Sequence, residues 1–252
     1  MAILKTGLGF FFTVGMIFLT GCGDGSPEQA MRSAVALANK GDWEEADKVA
    51  ERTARKNPQL AAAQILRAVT AERCGDRENA LDAARRAVEL DPENFAGQYT
   101  LGRLYAADIA RSSEAEQALV RAMGMRPDDL RVKILLCNVA MGANSPRARG
   151  YLTMLGAYPA FTRSAELQNQ LAVNCVRRGS KRYREALRYF MTALRMPSTP
   201  PEVILNVARF YDGCLKDRRK ALIVYKEYLK RAGEDAVGKV EAAARISRLS
   251  SR

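Results

Sequence analysis

The stretch GDRENALDAARRAVELDPEN, residues 75–94, decides the fold. It opens with glycine, the residue that most easily adopts the positive φ of a tight turn. Ala80, Ala84 and Ala87 follow at spacings of three and four, which places them on one side of a helix. Pro92 then stops the helix. The stretch therefore predicts a turn, a helix with a face of small side chains, and a break.

The same features recur along the chain at one constant interval. The pairs are Gly41 and Gly75, Ala46 and Ala80, and Pro58 and Pro92. Three features that repeat in one order at one interval indicate an internal repeat. The period and the residue types resemble the tetratricopeptide repeat (TPR), a helix–turn–helix unit of about 34 residues. This resemblance implies an all-α fold, a right-handed solenoid of stacked helical hairpins.

About six repeats are expected over residues 28–232. They begin near Pro27, Ala61, Phe95 and Asp128, with a fifth around Leu171 to Pro197 and a sixth from Pro201. Pro127 comes one position later than the constant interval after Pro92 predicts, so one residue is inserted near the third turn. The fourth repeat is degenerate. Residues 233–252 are expected to form a C-terminal capping helix.

Small and aromatic residues have separate roles in such a stack. Alanine and glycine are expected where the two helices of a hairpin approach closely. Aromatic side chains are expected to fill the gaps between neighbouring hairpins, in particular Trp43, Tyr105, Tyr183, Phe190 and Tyr225. One hairpin cannot bury its apolar face alone, so the units must stack into a continuous core.

The N-terminal segment has the pattern of a secretory signal. Lys5 precedes an apolar run that is too short and too rich in glycine for a membrane-spanning helix. Leu19-Thr20-Gly21-Cys22 then resembles the lipobox of bacterial lipoproteins, which implies cleavage after residue 21 and acylation of Cys22. Ordinary secretion or an uncleaved anchor is the alternative. Residues 22–27 would form a short tether to the membrane.

The resemblance to lipoproteins also implies a location. The protein is expected on the periplasmic side of the cell envelope, held to the membrane by the lipid on Cys22. Gly23 follows the cysteine in place of the aspartate that often marks retention in the inner membrane, so the outer membrane is favoured over the inner.

Charge divides the chain in two. Residues 22–125 hold 14 Lys/Arg and 17 Asp/Glu, whereas residues 126–252 hold 25 Lys/Arg and 11 Asp/Glu. The basic half could contact an anionic lipid, an acidic protein or an anionic polymer of the envelope, or it could be an arginine-rich solvated helix surface. No nucleic acid partner is expected.

No catalytic residue, metal site or cofactor is predicted. The chain has no histidine, which removes the commonest general base and metal ligand. It also lacks the phosphate-binding P-loop, the HExxH motif and the EF-hand pattern. We expect four cysteines to act as small buried hydrophobic residues: Cys74, Cys137, Cys175 and Cys214. The alternative is a Cys175–Cys214 disulfide.

A partner protein is expected on the concave surface, which the first helices of the repeats line. The residues predicted to contact it are Tyr99, Arg103, Lys133, Asn169, Arg177 and Arg209. Further residues predicted to face inward are Met31, Val35, Ile65, Val69, Glu72 and Leu205. An aromatic ring among arginines suits a peptide or helix that carries acidic and apolar groups.

The sequence thus predicts a non-enzymatic, lipid-anchored scaffold that recruits or assembles an envelope protein complex. Its architecture resembles the pilotins of type IV pili, lipoproteins with six such repeats that escort a secretin to the outer membrane. Two alternatives remain open at this point. One is an adaptor for peptidoglycan or outer-membrane assembly machinery, and the other is a basic-surface binder of anionic lipid or cell-wall polymer.

Overall fold

The computed structural model describes residues 25–233, 236 and 238–251. The predicted signal peptide, residues 1–21, and the predicted lipidation site, Cys22, lie outside the described residues. Within the described part the chain is helical and contains no strand. None of its helices is both long enough and apolar enough to cross a membrane.

The helices form two compact units that divide after Ala143. The first unit contains α1 (Pro27–Asn39), α2 (Trp43–Lys56), α3 (Ala61–Arg73), α4 (Arg77–Leu90), α5 (Phe95–Ala106), α6 (Ser112–Met125) and α7 (Leu130–Gly142). The second unit contains α8 (Ala148–Gly156), α9 (Pro159–Thr162), α10 (Ala165–Arg177), α11 (Tyr183–Leu194), α12 (Pro201–Arg209), α13 (Arg218–Arg231) and α14 (Lys239–Ser250).

The first two turns confirm the predicted glycine positions. Gly41 and Gly75 have φ of 88° and 85°, in the left-handed region where a Cβ atom is unfavourable. The aspartate that follows each glycine caps the next helix: Asp42 accepts a hydrogen bond from the Glu45 N–H, and the Asp76 carboxylate does the same for Asn79. Each Gly-Asp pair thus reverses the chain and starts the second helix of its hairpin.

Small residues lie where the two helices of each hairpin meet. Ala34 and Ala46 are fully buried in the first hairpin, and so are Ala68 and Ala80 in the second. In the third hairpin, α5 approaches α6 so closely that a Cβ atom on Gly102 would lie 2.7 Å from Leu119 Cγ. The predicted role of alanine and glycine is therefore seen in all three hairpins of the first unit.

The degenerate fourth repeat is divided between the two units. α7 packs on α6 at the end of the first unit, whereas α8 belongs to the second unit and packs on α10. The short helix α9 follows α8 and has no counterpart in the other repeats of the described chain. The second unit then continues with the hairpin α10–α11, with α12 and α13, and with α14 at the place of the predicted capping helix.

The second unit has an aromatic core. Phe190, Phe210 and Tyr225 are buried, and the Phe210 ring lies 5.3 Å from Phe190 and 5.5 Å from Tyr183. A π-helical turn, Phe210–Leu215, extends α12. Trp43, in the first unit, is only partly buried and lies beneath the Arg73 guanidinium at 4.3 Å.

The four cysteines of the described part are free thiols. Cys137 and Cys175 are buried, as expected for small hydrophobic residues, whereas Cys74 is exposed. The alternative prediction of a Cys175–Cys214 disulfide is wrong for this structure.

Two glycine substitutions test the close helix approach in the third hairpin. Gly102→Ala should lower the free energy of unfolding by about 1–3 kcal/mol, because the new methyl group would overlap Leu119. Gly124→Ala is the matched control on α6, where a Cβ atom meets nothing within 4 Å. It should raise the stability by up to about 1 kcal/mol. Urea unfolding followed by circular dichroism measures both values, and equal effects of the two substitutions would contradict this account.

Candidate functional site

The first helices of the first unit carry the same positions at regular intervals. Met31, Ile65 and Tyr99 follow one another at the repeat interval and occupy equivalent places in α1, α3 and α5. A second set lies one helical turn further along each helix and consists of Val35, Val69 and Arg103. We call the surface formed by these two columns, with their continuation in α7, the first-helix face. It has an apolar part on α1 and α3 and becomes polar at α5.

Tyr99 lies between aromatic and cationic neighbours. Its ring stacks on that of Phe95, with centroids 5.9 Å apart and planes 3° from parallel. The Arg131 guanidinium lies 5.7 Å from the Tyr99 ring centre. Burial raises the pKa of the Tyr99 phenol, so the hydroxyl stays protonated at neutral pH and can donate a hydrogen bond. Tyr99 thus offers a partner both a partly exposed ring and a polar group.

Two ion pairs flank this ring. Arg103 Nη1 donates to Glu72 Oε1 at 2.5 Å and joins α5 to α3. The two side chains are only 23 % and 27 % exposed, so water screens the pair less than it screens a surface ion pair. Arg131 binds both carboxylate oxygens of Asp129, with Nε and Nη2 at 3.1 and 2.6 Å. These pairs fix the positions of the charged groups around Tyr99.

The structure places Lys133 differently from the prediction. The prediction applied the regular repeat interval after Tyr99, but the inserted residue lengthens that interval by one, so Ile134 occupies the position equivalent to Tyr99. Lys133 has the register of Gln98 and is only 8 % exposed. Gln98 donates to the Pro92 carbonyl at 2.9 Å and so connects α5 to the end of the preceding repeat. Lys133 therefore presents little surface to a partner.

Asn138 is a residue of this face that the sequence analysis missed. It follows Arg103 at the lengthened interval and so continues the second column in α7. Its Oδ1 atom is buried and accepts no hydrogen bond from the described residues. A buried oxygen without a donor is costly, so this atom is a ready acceptor for an N–H group of a ligand. Counting from Arg103 with the inserted residue included would have found it.

The equivalent helices of the second unit are joined by side-chain hydrogen bonds. Asn206 Nδ2 donates to Asn169 Oδ1 at 3.1 Å, which links α12 to α10. Arg209 Nε donates to Glu241 Oε1 of α14 at 3.0 Å, and the Arg209 guanidinium lowers the pKa of that carboxyl group. Asn169 and Arg209, both predicted to contact a partner, thus already bind groups of the protein itself. Arg177 is exposed at the end of α10.

A carboxylate with three arginine neighbours lies between α8 and α11. Arg149 binds Glu185 through two hydrogen bonds of 2.6 and 3.0 Å. Arg182 adds a third at 3.1 Å, and Arg188 lies 3.9 Å away. Hydrogen bonding from Arg149 is the main cause that lowers the pKa of Glu185 to about 2. One carboxylate cannot neutralise three guanidinium groups, so this cluster keeps a positive charge.

The described residues show no arrangement typical of metal or thiol chemistry. No group of three or more acidic or cysteine side chains among them could hold a metal ion. Burial raises the pKa of the Cys137 thiol to about 12, so that thiol stays protonated and unreactive near neutral pH. The surfaces described above can bind, and their side chains suit recognition.

Glu185→Gln should make stability less dependent on pH. The folded protein holds the pKa of Glu185 below its ordinary value of 4.5, so its stabilising effect is complete above pH 4.5 and is lost as the pH falls towards 2. The Gln variant should therefore be less stable by about 1 kcal/mol at pH 7, and the difference should vanish near pH 2. Chemical unfolding at several pH values measures this.

Glu227→Gln serves as the control, because Glu227 forms an exposed ion pair with Arg231 within one helix. It should change the stability by less than about 0.5 kcal/mol. A constant difference between Glu185→Gln and the unmodified protein from pH 7 to pH 2 would contradict the assigned pairing.

Comparisons with known proteins agree with the hairpin architecture. The family model described as tetratricopeptide repeat matches residues 61–94. PilF of Pseudomonas aeruginosa is similar with a TM-score of 0.57 and 18% identity, over 90% of this chain and 98% of PilF. YrrB, described as a TPR protein with an unusual peptide-binding site, gives a TM-score of 0.60 at 18% identity, over 79% of this chain and 97% of YrrB.

MamA gives a TM-score of 0.57 at 16% identity, over 75% of this chain and 95% of MamA. No curated protein sequence matches the chain. At such identities these likenesses concern the fold. The chain therefore contains a tetratricopeptide repeat at residues 61–94 and has the fold of tetratricopeptide-repeat solenoid proteins.

Proposed function

We propose that this protein is a lipid-anchored scaffold of the bacterial cell envelope that binds a partner protein on the first-helix face of its first unit. The observation that carries the proposal is the composition of that face. It combines partly exposed apolar side chains, the Tyr99 ring between two fixed ion pairs, and the unpaired Oδ1 atom of Asn138. The fold itself supports a protein partner, since TPR solenoids are protein-interaction scaffolds.

The face also indicates the chemistry of the partner segment. Met31, Val35 and Ile65 are partly exposed and suit apolar side chains. The Asn138 oxygen suits a main-chain or side-chain N–H donor. The segment should therefore be a peptide or helix with an apolar stripe beside polar groups. YrrB, one of the similar structures, is itself described as having a peptide-binding site.

The envelope location rests on the sequence alone. The apolar run before Leu19-Thr20-Gly21-Cys22 and the small residues next to the cysteine support acylation of Cys22. The residue after the cysteine supports attachment to the outer membrane, on the periplasmic side. Recruitment of a complex for pilus and secretin assembly is the most specific form of the proposal, and it rests on the resemblance of architecture to pilotins.

Tyr99→Ala should reduce partner recovery at least tenfold in a crosslinked pull-down from membranes, because a central aromatic contact is commonly worth about 2 kcal/mol. Tyr189→Ala is the matched control, since Tyr189 is a partly buried tyrosine on a second helix, α11. Recovery with this control should equal that of the unmodified protein. Recovery that Tyr99→Ala leaves unchanged, or that both variants lower equally, would exclude the first-helix face as the site.

Cys22→Ser should release the protein from the membrane fraction and abolish incorporation of a labelled fatty acid. Anchoring that depends on acyl chains is lost when their attachment point is removed. Cys74→Ser removes an exposed thiol elsewhere and should leave both properties unchanged. Labelled fatty acid that is still incorporated into the Cys22→Ser protein would contradict the assignment of Cys22 as the lipidation site.

A further inference from the structure

The turns inside the hairpins of the second unit are strongly basic. We define each turn segment as running from the last residue of the first helix of a hairpin to the sixth residue of its second helix. The segment before α8 begins instead at residue 144, where the second unit starts, and the π-helical turn is counted with α12. In the second unit these segments are residues 144–153, 177–188 and 215–223. Together they contain 12 Lys/Arg and 2 Asp/Glu. We call the surface of these three segments the basic edge.

The same segments of the first unit have the opposite charge. They are residues 39–48, 73–82 and 106–117. They contain 5 Lys/Arg and 10 Asp/Glu. The turns between successive hairpins of the second unit are not basic either, since residues 156–166 and 194–202 each hold one basic and one acidic residue. Most of the excess positive charge of the second unit therefore lies in one kind of turn.

Side-chain contacts join the three basic segments into one surface. Arg178 Nη2 donates to the Ser145 carbonyl at 2.5 Å, and Arg149 binds Glu185, so the first two segments are adjacent. The Tyr183 ring of the second segment packs edge-on against Phe210, the first residue of the π-helical turn Phe210–Leu215, and this turn leads directly into the third segment. The basic edge thus extends over three successive repeats, roughly 20 Å at the usual spacing of packed helices.

Much of this charge has no counter-charge among the residues that the structure describes. Glu185 is shared by three arginines, and Asp217 pairs with Lys220. Lys181, Arg184 and Lys216 are exposed and form no ion pair with any described residue. Like charges held this close repel one another, so the folded state bears a cost that an anionic partner would remove.

We infer that the basic edge docks onto the surface of an anionic phospholipid bilayer. A membrane presents many mobile phosphate groups in a plane, and long exposed side chains spread over three turns can each reach one of them. Leu215, which is 36 % exposed, lies immediately before Lys216 on this edge and can enter the boundary between headgroups and acyl chains. The acylation proposed for Cys22 would keep this edge near a bilayer, and in that respect the inference rests on the proposed function.

The other anionic partners fit less well. Single-stranded nucleic acid binding requires aromatic rings on which bases stack, whereas the Tyr183 ring of this edge is packed against Phe210. A specific acidic protein is usually recognised by arginines that are fixed in place, and Lys181, Arg184 and Lys216 have no ion-pair partner among the described residues that fixes them.

The test uses vesicles and the full chain carrying Cys22→Ser, so that no lipid anchor contributes. Vesicles of phosphatidylcholine that contain a minor fraction of phosphatidylglycerol, enough to give the surface a negative potential, are compared with pure phosphatidylcholine by sedimentation, at several NaCl concentrations. Only the binding gained with the anionic lipid is attributed to the basic edge. That gain should fall steeply as NaCl rises, because salt screens exposed charges.

The edge variant combines Lys181→Glu, Arg184→Glu and Lys216→Glu. It should lower the apparent affinity for the anionic vesicles at least about tenfold, since each basic residue near a membrane contributes markedly to binding. The matched control makes the same change of net charge on exposed residues of α2, with Arg52→Glu, Arg55→Glu and Lys56→Glu. It should lower the affinity less than twofold. Circular dichroism checks that both variants keep their helices.

Three results would overturn the inference. One is equal binding to both kinds of vesicle. Another is an equal loss in the two variants, which would show an effect of net charge alone. The third is tight binding of soluble polyglutamate without binding to the anionic vesicles, which would assign the edge to an acidic polymer or protein. None of these results bears on the partner recovery tested with Tyr99→Ala or on the labelling tested with Cys22→Ser.

Discussion

The close approach of the two helices in each hairpin is the constraint on which the rest of the structure depends. Fully buried alanines line the crossings of the first two hairpins. In the third hairpin even a Cβ atom on Gly102 would lie 2.7 Å from Leu119 Cγ, so only glycine fits there. A hairpin of this kind is thin and has two flat sides, so the next one can stack on it. This stacking brings equivalent positions of successive first helices into columns. Both the first-helix face and the basic edge are consequences of that alignment.

The sequence predicts the first three hairpins well because their spacing is set by packing. Gly41 and Gly75, with the aspartate after each, impose the same turn, and the buried alanines follow at fixed intervals. The prediction loses accuracy after α5, where the turn lengthens by a 3₁₀ segment, Ile109–Arg111. One extra residue shifts the register, which is why Lys133 was expected on the face and is found inside.

Hydrogen bonds between side chains that lie far apart in the chain could not be predicted from the repeat. The bond from Asn206 to Asn169 and the bond from Arg209 to Glu241 depend on rotamers and on the placement of α14. No periodic pattern encodes them, because polar positions vary freely between repeats as long as their groups find partners. The repeat pattern likewise does not predict the π-helical turn Phe210–Leu215 or the division of the fourth repeat between two units.

The two proposed binding surfaces use different positions of the repeat. The first-helix face uses positions in the middle of helices, where neighbouring side chains hold Tyr99 and the Glu72–Arg103 pair in fixed places. Such a site can be selective, and its partly buried pair is weakly screened by salt. The basic edge uses turn positions, where charges are exposed and adaptable, so its binding should be unselective and sensitive to salt. Because the two surfaces share no residue, one can change without disturbing the other. A scaffold of the proposed kind, which holds a partner protein while it rests on a membrane, can therefore use each surface independently.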